Sequence, residues 1–245
     1  MKKTLNSNVL KLIAIIAMTI DHILWVVFPT YSHNPIVIIL HIIGRLTCPI
    51  MCYFIAEGFH HTKNINKYTL RLFIFALISH IPYVAFSIHY IDYKSFIPFY
   101  YGSIFDQTSV IWSLFCGLLM LRIHESEKIK HTSIKVLLIL LLCVIAFPSN
   151  WSCIGSLCIL AFGTNRNNFK VQMLWMIFYV FLYALVYFIF LDKVYGILQM
   201  GVILAIPVLY MYNGKRGSNP KINNIVKWLF YIYYPLHLII LALFK

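Results

Sequence analysis

Charge is what this chain is short of. Only 11% of its 245 residues are Asp, Glu, Lys or Arg, where an ordinary soluble domain carries about 25%. That shortfall, with 61% hydrophobic residues and a mean hydropathy of +0.82, excludes a water-soluble globular domain. Linkers are missing too. No Gly/Ser/Pro-rich stretch or polar run is long enough to join on or hold a separate soluble domain, so the chain reads as a single membrane-embedded domain over 1-245. No internal repeat is visible. The six cysteines, Cys48, Cys52, Cys116, Cys143, Cys153 and Cys158, all lie in apolar runs and form no CxxC pair. A metal or redox centre therefore has no supporting spacing, and small hydrophobes in helix packing are the simpler reading. No small-x-small cleavage site follows the basic start MKKTLNSNVLKLIAIIAMTI, whose apolar run continues to Phe28, so the segment reads as a retained first helix rather than a removed signal.

What remains is apolar runs of membrane-spanning length. Runs of about 20 residues match a hydrocarbon core about 30 Å thick. They fall at 9–29, 36–58, 68–90, 105–123, 134–148, 151–163, 171–191, 195–212 and 225–244. The expectation is an all-α polytopic bundle of about nine transmembrane helices, or eight if the short 151–163 segment is re-entrant. The basic residues set its orientation. With the amino terminus inside, sixteen of the 20 Lys and Arg flank inner ends, Lys94, Lys193 and Lys245 lie outside, and Arg45 sits within a span. Positive charge gathers on cytoplasmic loops, so the amino terminus reads as cytoplasmic and the carboxyl terminus as outside. The net charge of +13 follows from that orientation and from attraction to anionic lipids, and calls for no nucleic acid.

Ionisable groups inside the spans are the anomaly. Each costs on the order of 3 kcal/mol at the bilayer centre, which makes each a candidate functional group. Asp21 and His22 lie just past the middle of the first span. His41 and Arg45 are in the second, His80 is in the third, and His237 is in the last. Alternating helix directions bring them to one layer, from the centre toward the outer face, where a shared polar cavity is expected. Neighbouring positions on a helix point about 100° apart, so Asp21 and His22 must face different partners. Arg45 stays charged and needs a carboxylate, and Asp21 is nearest in depth. That pair could also serve only to fix helix packing. Imidazole titrates near neutrality, so His22 is the first candidate for a general base, with His237 competing.

A second polar layer lies at the inner face. Glu57, His60 and His61 close the second span, Lys67 and Arg71 enter the third, and Lys215 and Arg216 stand in YNGKRG. A cationic mouth of this kind suits a phosphate-bearing ligand from the cytoplasm, although snorkelling interfacial residues make the same pattern.

Four stretches carry a resemblance. VLKLIAIIAMTIDHI, IGRLTCPIMCYFIAEGFHHTKNINKYTLRLFIFALISHIPY, YNGKRG and KWLFYIYYPLHLIIL, in this order, resemble the TraX family, named for the F-pilin N-acetylase of conjugative plasmids and related to multi-spanning membrane acyltransferases. The resemblance implies transfer of an acetyl group from acetyl-CoA to an amine or hydroxyl acceptor reached within or across a bacterial inner membrane. That acceptor would be a protein amino terminus, a glycan or a lipid-linked sugar, and pilin itself is not specified. Asp21, His22, Arg45, Glu57 and His237 match the family pattern. His80 stands in SHIPY where a glutamate is usual, and Asn150 stands where an aspartate is expected. On this reading His22 deprotonates the acceptor, Asp21 or Glu57 orients an imidazole, Arg45 stabilises an oxyanion or holds a phosphate, His237 stands by, and no metal takes part. Glu57, His60, His61, Arg71, Lys215 and Arg216 would meet the acyl-CoA. The rival is a proton-coupled transporter or flippase, against which no span reads as clearly broken by Gly and Pro in a repeated half.

Overall fold

A computed structural model describes residues 3–87, 94, 97 and 107–245. Helices account for its regular structure, and among the described residues there is no strand, only two isolated bridges. The helices are α1 (Ser7–Val27), α2 (Pro35–Gly44), α3 (Thr47–His61), α4 (Ile65–Ser87), α5 (Val110–His124), α6 (Thr132–Ala146), α7 (Ser152–Thr164), α8 (Phe169–Phe190), α9 (Lys193–Gln199), α10 (Ala205–Tyr210) and α11 (Pro220–Ala242). A 3-10 turn at Met200–Leu204 lies between α9 and α10.

Each expected run corresponds to an apolar helical segment. Six are long and apolar enough to cross a membrane: Ser7–Val27, Pro35–His61, Ile65–Ser87, Phe169–Phe190, Lys193–Tyr210 and Pro220–Ala242. The other three, α5, α6 and α7, have 15, 15 and 13 residues. At 1.5 Å per residue they reach only about 20 Å, less than a hydrocarbon core. Residues 88–90 and 105–106, at the edges of the third and fourth expected spans, lie outside the described residues. This is a polytopic, all-helical membrane protein.

Two of the long segments are discontinuous, which corrects the expectation of unbroken spans. The segment Pro35–His61 is interrupted at Arg45 and Leu46, and Lys193–Tyr210 passes through the 3-10 turn. Both breaks have the same chemistry. Pro49 lacks an N–H, and its ring crowds the carbonyl four residues back, at Arg45; Pro207 does the same at Ile203. A glycine stands close before each, Gly44 and Gly201. Pro82 and Pro235, with no glycine in their helices, are absorbed inside continuous α4 and α11.

The helices form two compact units, one of Met1–Met51 with Phe169–Lys245 and one of Cys52–Asn168. In the first, α1 and α11 run parallel. Asn8 donates to Asn223 (2.7 Å), Lys11 lies over the Phe230 ring, Thr19 meets the Tyr233 hydroxyl (2.6 Å) and His22 meets His237, with both residue numbers rising together. Asn6, Asn34, Asp192 and Asn219 cap α1, α2, α9 and α11 through their side-chain oxygens, satisfying otherwise orphaned amides.

In the second unit α5 and α7 approach closely. A Cβ on Gly117 would come within 2.8 Å of the Ser156 Cα. Across the same contact Ser113 donates to the Ser152 carbonyl and Ser156 to the Ser113 carbonyl, each at 2.6 Å. Small residues and hydroxyl bonds hold helices together where lipid offers no hydrophobic drive. The entry to α7 is strained: Trp151 just before it and Ser152, its first residue, have φ of 64° and 48°, a region costly for side-chain-bearing residues.

Candidate active site

The buried ionisable groups of the first unit form two networks back to back on α1. Asp21 turns toward α2. Its Oδ1 accepts from Arg45 Nη2 and from His41 Nδ1, both at 2.8 Å. Arg45 also donates through Nη1 to Gln199 Oε1 (3.1 Å) and through Nε to the His41 carbonyl (3.4 Å). The guanidinium is thus fixed at the break of the second segment by a residue at the break of the other. Gly44 makes this possible, because a Cβ there would sit 2.5 Å from the Asp21 Cβ and 2.6 Å from its Oδ1.

His22, one position on, turns toward α11. Its Nδ1 lies 2.7 Å from His237 Nε2, and His237 Nδ1 lies 2.8 Å from the Tyr233 carbonyl oxygen. The protons follow from the partners. A carbonyl only accepts, so His237 Nδ1 carries hydrogen; in the neutral ring Nε2 then holds the lone pair, and His22 Nδ1 must donate to it. The lone pair of neutral His22 is therefore on Nε2. The rings of Tyr233, His237 and His22 are stacked, with centroids 5.0 Å and 4.9 Å apart, which fixes the imidazole planes.

The expected pairings of Asp21 with Arg45 and of His22 with a different helix are both present. Sequence reasoning under-rated His41. Asp21 orients His41, not His22, and puts the His41 lone pair on Nε2. That imidazole is fully buried against Trp25 and Tyr195, and its Nε2 has no hydrogen-bond partner. His22 is only half-buried. A base must be reachable, so His22 is the better placed of the two for proton transfer. Gln199, Thr19 and Tyr233 were also missed. Each is a common polar residue in an apolar run, and only the crossing of helices shows its partner.

The inner-layer candidates divide between the units. In the second unit Glu57 accepts from Arg166 Nε (3.2 Å) and lies 3.3 Å from His61 Nε2, while Arg166 Nη2 donates toward the same His61 nitrogen (3.0 Å). Glu57 therefore positions a cation that sequence reasoning had not singled out. His60 Nε2 donates to the Gly163 carbonyl near the end of α7 (3.1 Å), and the Arg71 guanidinium stands over the Tyr68 ring at 5.4 Å. In the first unit Lys215 and Arg216 are exposed in a turn shaped by Gly214, whose φ is 74°, and by the Asn213 side chain, which accepts from the Lys215 amide. His80 is buried beside Thr108 (3.1 Å), and Asn150 reaches the Tyr83 hydroxyl (3.5 Å). Among the described residues no group of three or more His, Cys, Asp or Glu is placed to hold a metal ion.

Outside the spans, Asp192 joins α8 to α9. Slight burial pushes its carboxyl upward, but the Tyr195 amide and the His33 imidazole, 3.0 Å away, outweigh this and hold it below the usual aspartate range.

The stretches that carry these networks run from one end of the chain to the other, and so does the family match. The model of the TraX protein family covers residues 6–245. The chain belongs to the TraX family. It is 29% identical over 241 residues to a probable fimbrial assembly protein, FimC of serogroup H1, of Dichelobacter nodosus, covering 95% of this chain and 93% of that protein. It is also 29% identical over 120 residues, 46% of this chain, to an uncharacterized protein of Rickettsia prowazekii (strain Madrid E), covering 44% of it. No solved structure matches this TraX-family chain.

Proposed function

We propose that this TraX-family protein is an acyltransferase of a bacterial inner membrane, moving an acetyl or other acyl group from cytoplasmic acyl-CoA to an amine or hydroxyl acceptor. The observation that carries the reading is the half-buried His22, whose tautomer is set by His237 and the Tyr233 carbonyl, beside the Asp21–Arg45 pair. In the reaction His22 Nε2 takes the acceptor proton as the acceptor nitrogen or oxygen attacks the thioester carbonyl. The imidazolium so formed is stabilised by its Nδ1 hydrogen bond to His237 and by the Asp21 carboxylate next along the helix. Arg45 provides positive charge near the oxyanion. The C–S bond then breaks, and the leaving thiolate takes the proton from His22. The relative named for fimbrial assembly makes an exported fimbrial or pilus subunit one acceptor to try, with glycans and lipid-linked sugars beside it.

The test is release of free CoA from acetyl-CoA by protein in phosphatidylcholine nanodiscs, supplied with amine and hydroxyl acceptors and compared with His22→Ala. Acceptor-dependent release lost in the variant supports the reading, and absence of release overturns it. The second reading, a transporter, is favoured by the two discontinuous segments joined at Arg45 and Gln199, a feature of midplane substrate sites. It predicts substrate movement without thioester consumption.

A further inference from the structure

We infer that Lys11, Arg216 and Lys227 form a phosphate-binding end for the donor, and that α1 is a ruler of fixed length from those phosphates to His22. The inference rests on the acyltransferase reading and adds to it two residues and a donor length. Lys11 lies in the first part of α1, Arg216 in the turn before α11, and Lys227 in the first part of α11 with its ammonium over the Trp228 ring at 5.0 Å. The convergence is built into the fold. The parallel packing of α1 on α11 brings Lys11 over Phe230, one turn beyond Lys227. The 3.0 Å bond from the Ser7 amide to the Lys215 carbonyl ties the turn bearing Arg216 to the start of α1. These ties bring basic residues of three segments to one end of α1, where positive charge attracts a phosphate group.

The spacing selects the ligand. From Lys11 to His22 is three turns of helix, so the two side chains leave α1 on the same face, about 20° apart and about 16 Å apart along the axis. A phosphopantetheine arm runs from its phosphate to its sulfur through about thirteen bonds, about 15 Å when extended. A donor whose phosphate rests on Lys11, Arg216 and Lys227 therefore presents its thioester at His22. Acetyl phosphate is far too short to do both, and acetyl-pantetheine has the arm without the anchor.

The experiment measures transfer kinetics and CoA binding in phosphatidylcholine nanodiscs, free of anionic lipid, for wild type, Lys11→Gln, Arg216→Gln, Lys227→Gln and Lys11→Arg. Lys221→Gln, an exposed lysine on α11, is the control. Each charge-removing variant is expected to raise KM for acetyl-CoA about tenfold or more with kcat retained, because a lost charge-assisted contact has that weight. KM for acetyl-pantetheine should stay unchanged, and Lys11→Arg should behave as wild type. Variants that match Lys221→Gln, or that lose both donors equally, overturn the inference. In parallel nanodiscs doped with phosphatidylglycerol, variants that lose binding of that lipid but not of CoA do so as well, by giving the site to lipid. Wild type that binds CoA through these residues yet never consumes acetyl-CoA leaves the phosphate site standing and removes the acyltransferase reading. Wild type that turns over acetyl-CoA with Lys11→Gln unimpaired does the reverse.

Discussion

Replacing Asp21 by Asn and Arg45 by Gln, singly and together, separates a structural ion pair from a working one. Asp21 Oδ1 accepts hydrogen bonds from Arg45 Nη2 and His41 Nδ1, both at 2.8 Å, and both side chains of the ion pair are nearly buried. Either single change leaves one charge without its counterion in a low-dielectric setting, which costs about 3–5 kcal/mol where such pairs have been broken. Neutral hydrogen bonds between membrane helices average only about 0.6 kcal/mol, so a loss of this size reports charge rather than hydrogen bonding. Removing both charges takes away the imbalance. Asp21→Asn/Arg45→Gln should then be less destabilised than the sum of the single variants by at least about 1 kcal/mol, inside the range for residues in one network. Unfolding of detergent-solubilised protein in increasing dodecyl sulfate, followed by tryptophan fluorescence, gives the three differences. Additive losses would refute the coupling. Transfer activity supplies the second axis: if the pair only fixes packing, the double variant recovers activity with stability, and if its charges serve the reaction, the double variant stays inactive.

His22→Ala should lower turnover by about a hundred- to ten-thousand-fold while costing only about 1 kcal/mol of stability, and near-normal turnover would move the base to another residue. His237→Ala removes the group that sets the His22 tautomer, so kcat should fall less than in His22→Ala, with the pH-rate profile displaced; an unchanged profile would refute the relay. Gly44→Ala forces Asp21 away from α2 and should cost about 1–3 kcal/mol together with activity, read by the same unfolding assay. Asp192 has a carboxyl held below the usual range, so its contribution is complete above the ordinary aspartate pKa of about 4 and is lost as pH falls through the depressed value. Asp192→Asn keeps a cap on α9 but has no carboxylate, so in thermal melts it should lose that contribution at neutral pH and flatten the acid-side decline.

The spans were legible because hydrocarbon demands long apolar helices, and length with hydropathy is a property of single segments. Asp21 and Arg45 were legible as a pair because a charge in lipid must be compensated and the chain has just seven acidic residues to choose from. His41 was not, since nothing in HIIGR distinguishes a histidine bonded to a carboxylate from one bonded to a carbonyl. Arg166 was counted only as inner-loop charge. Its pairing with Glu57 depends on where α7 ends, and neither hydropathy nor the charge pattern carries that. The division of polar partners between Asp21 and His22 was implied by the 100° step of a helix, but the choice of α2 for one and α11 for the other came from packing.

The breaks in the two long segments could have been read, and they have a functional consequence. Each needs a glycine followed by a proline five or six residues later, and the two helices with an interior proline but no glycine stay whole. In an unbroken helix an interior Pro49 would cost about 3 kcal/mol, whereas as the third residue of α3 it sits in the first turn, where its missing N–H forfeits no helical bond. Keeping it frees the backbone at Arg45 to leave the helical path, and the guanidinium then reaches Asp21 on one side and Gln199 on the other. Pro49→Ala should therefore join α2 and α3 into one helix, raising resistance to dodecyl sulfate while lowering transfer activity as Arg45 is drawn back into register. Helix content by circular dichroism would rise slightly. A Pro49→Ala protein that is more stable and equally active would show that the break serves folding or insertion and not the placement of Arg45, and a less stable one would show that the bent path is held by packing stronger than the proline.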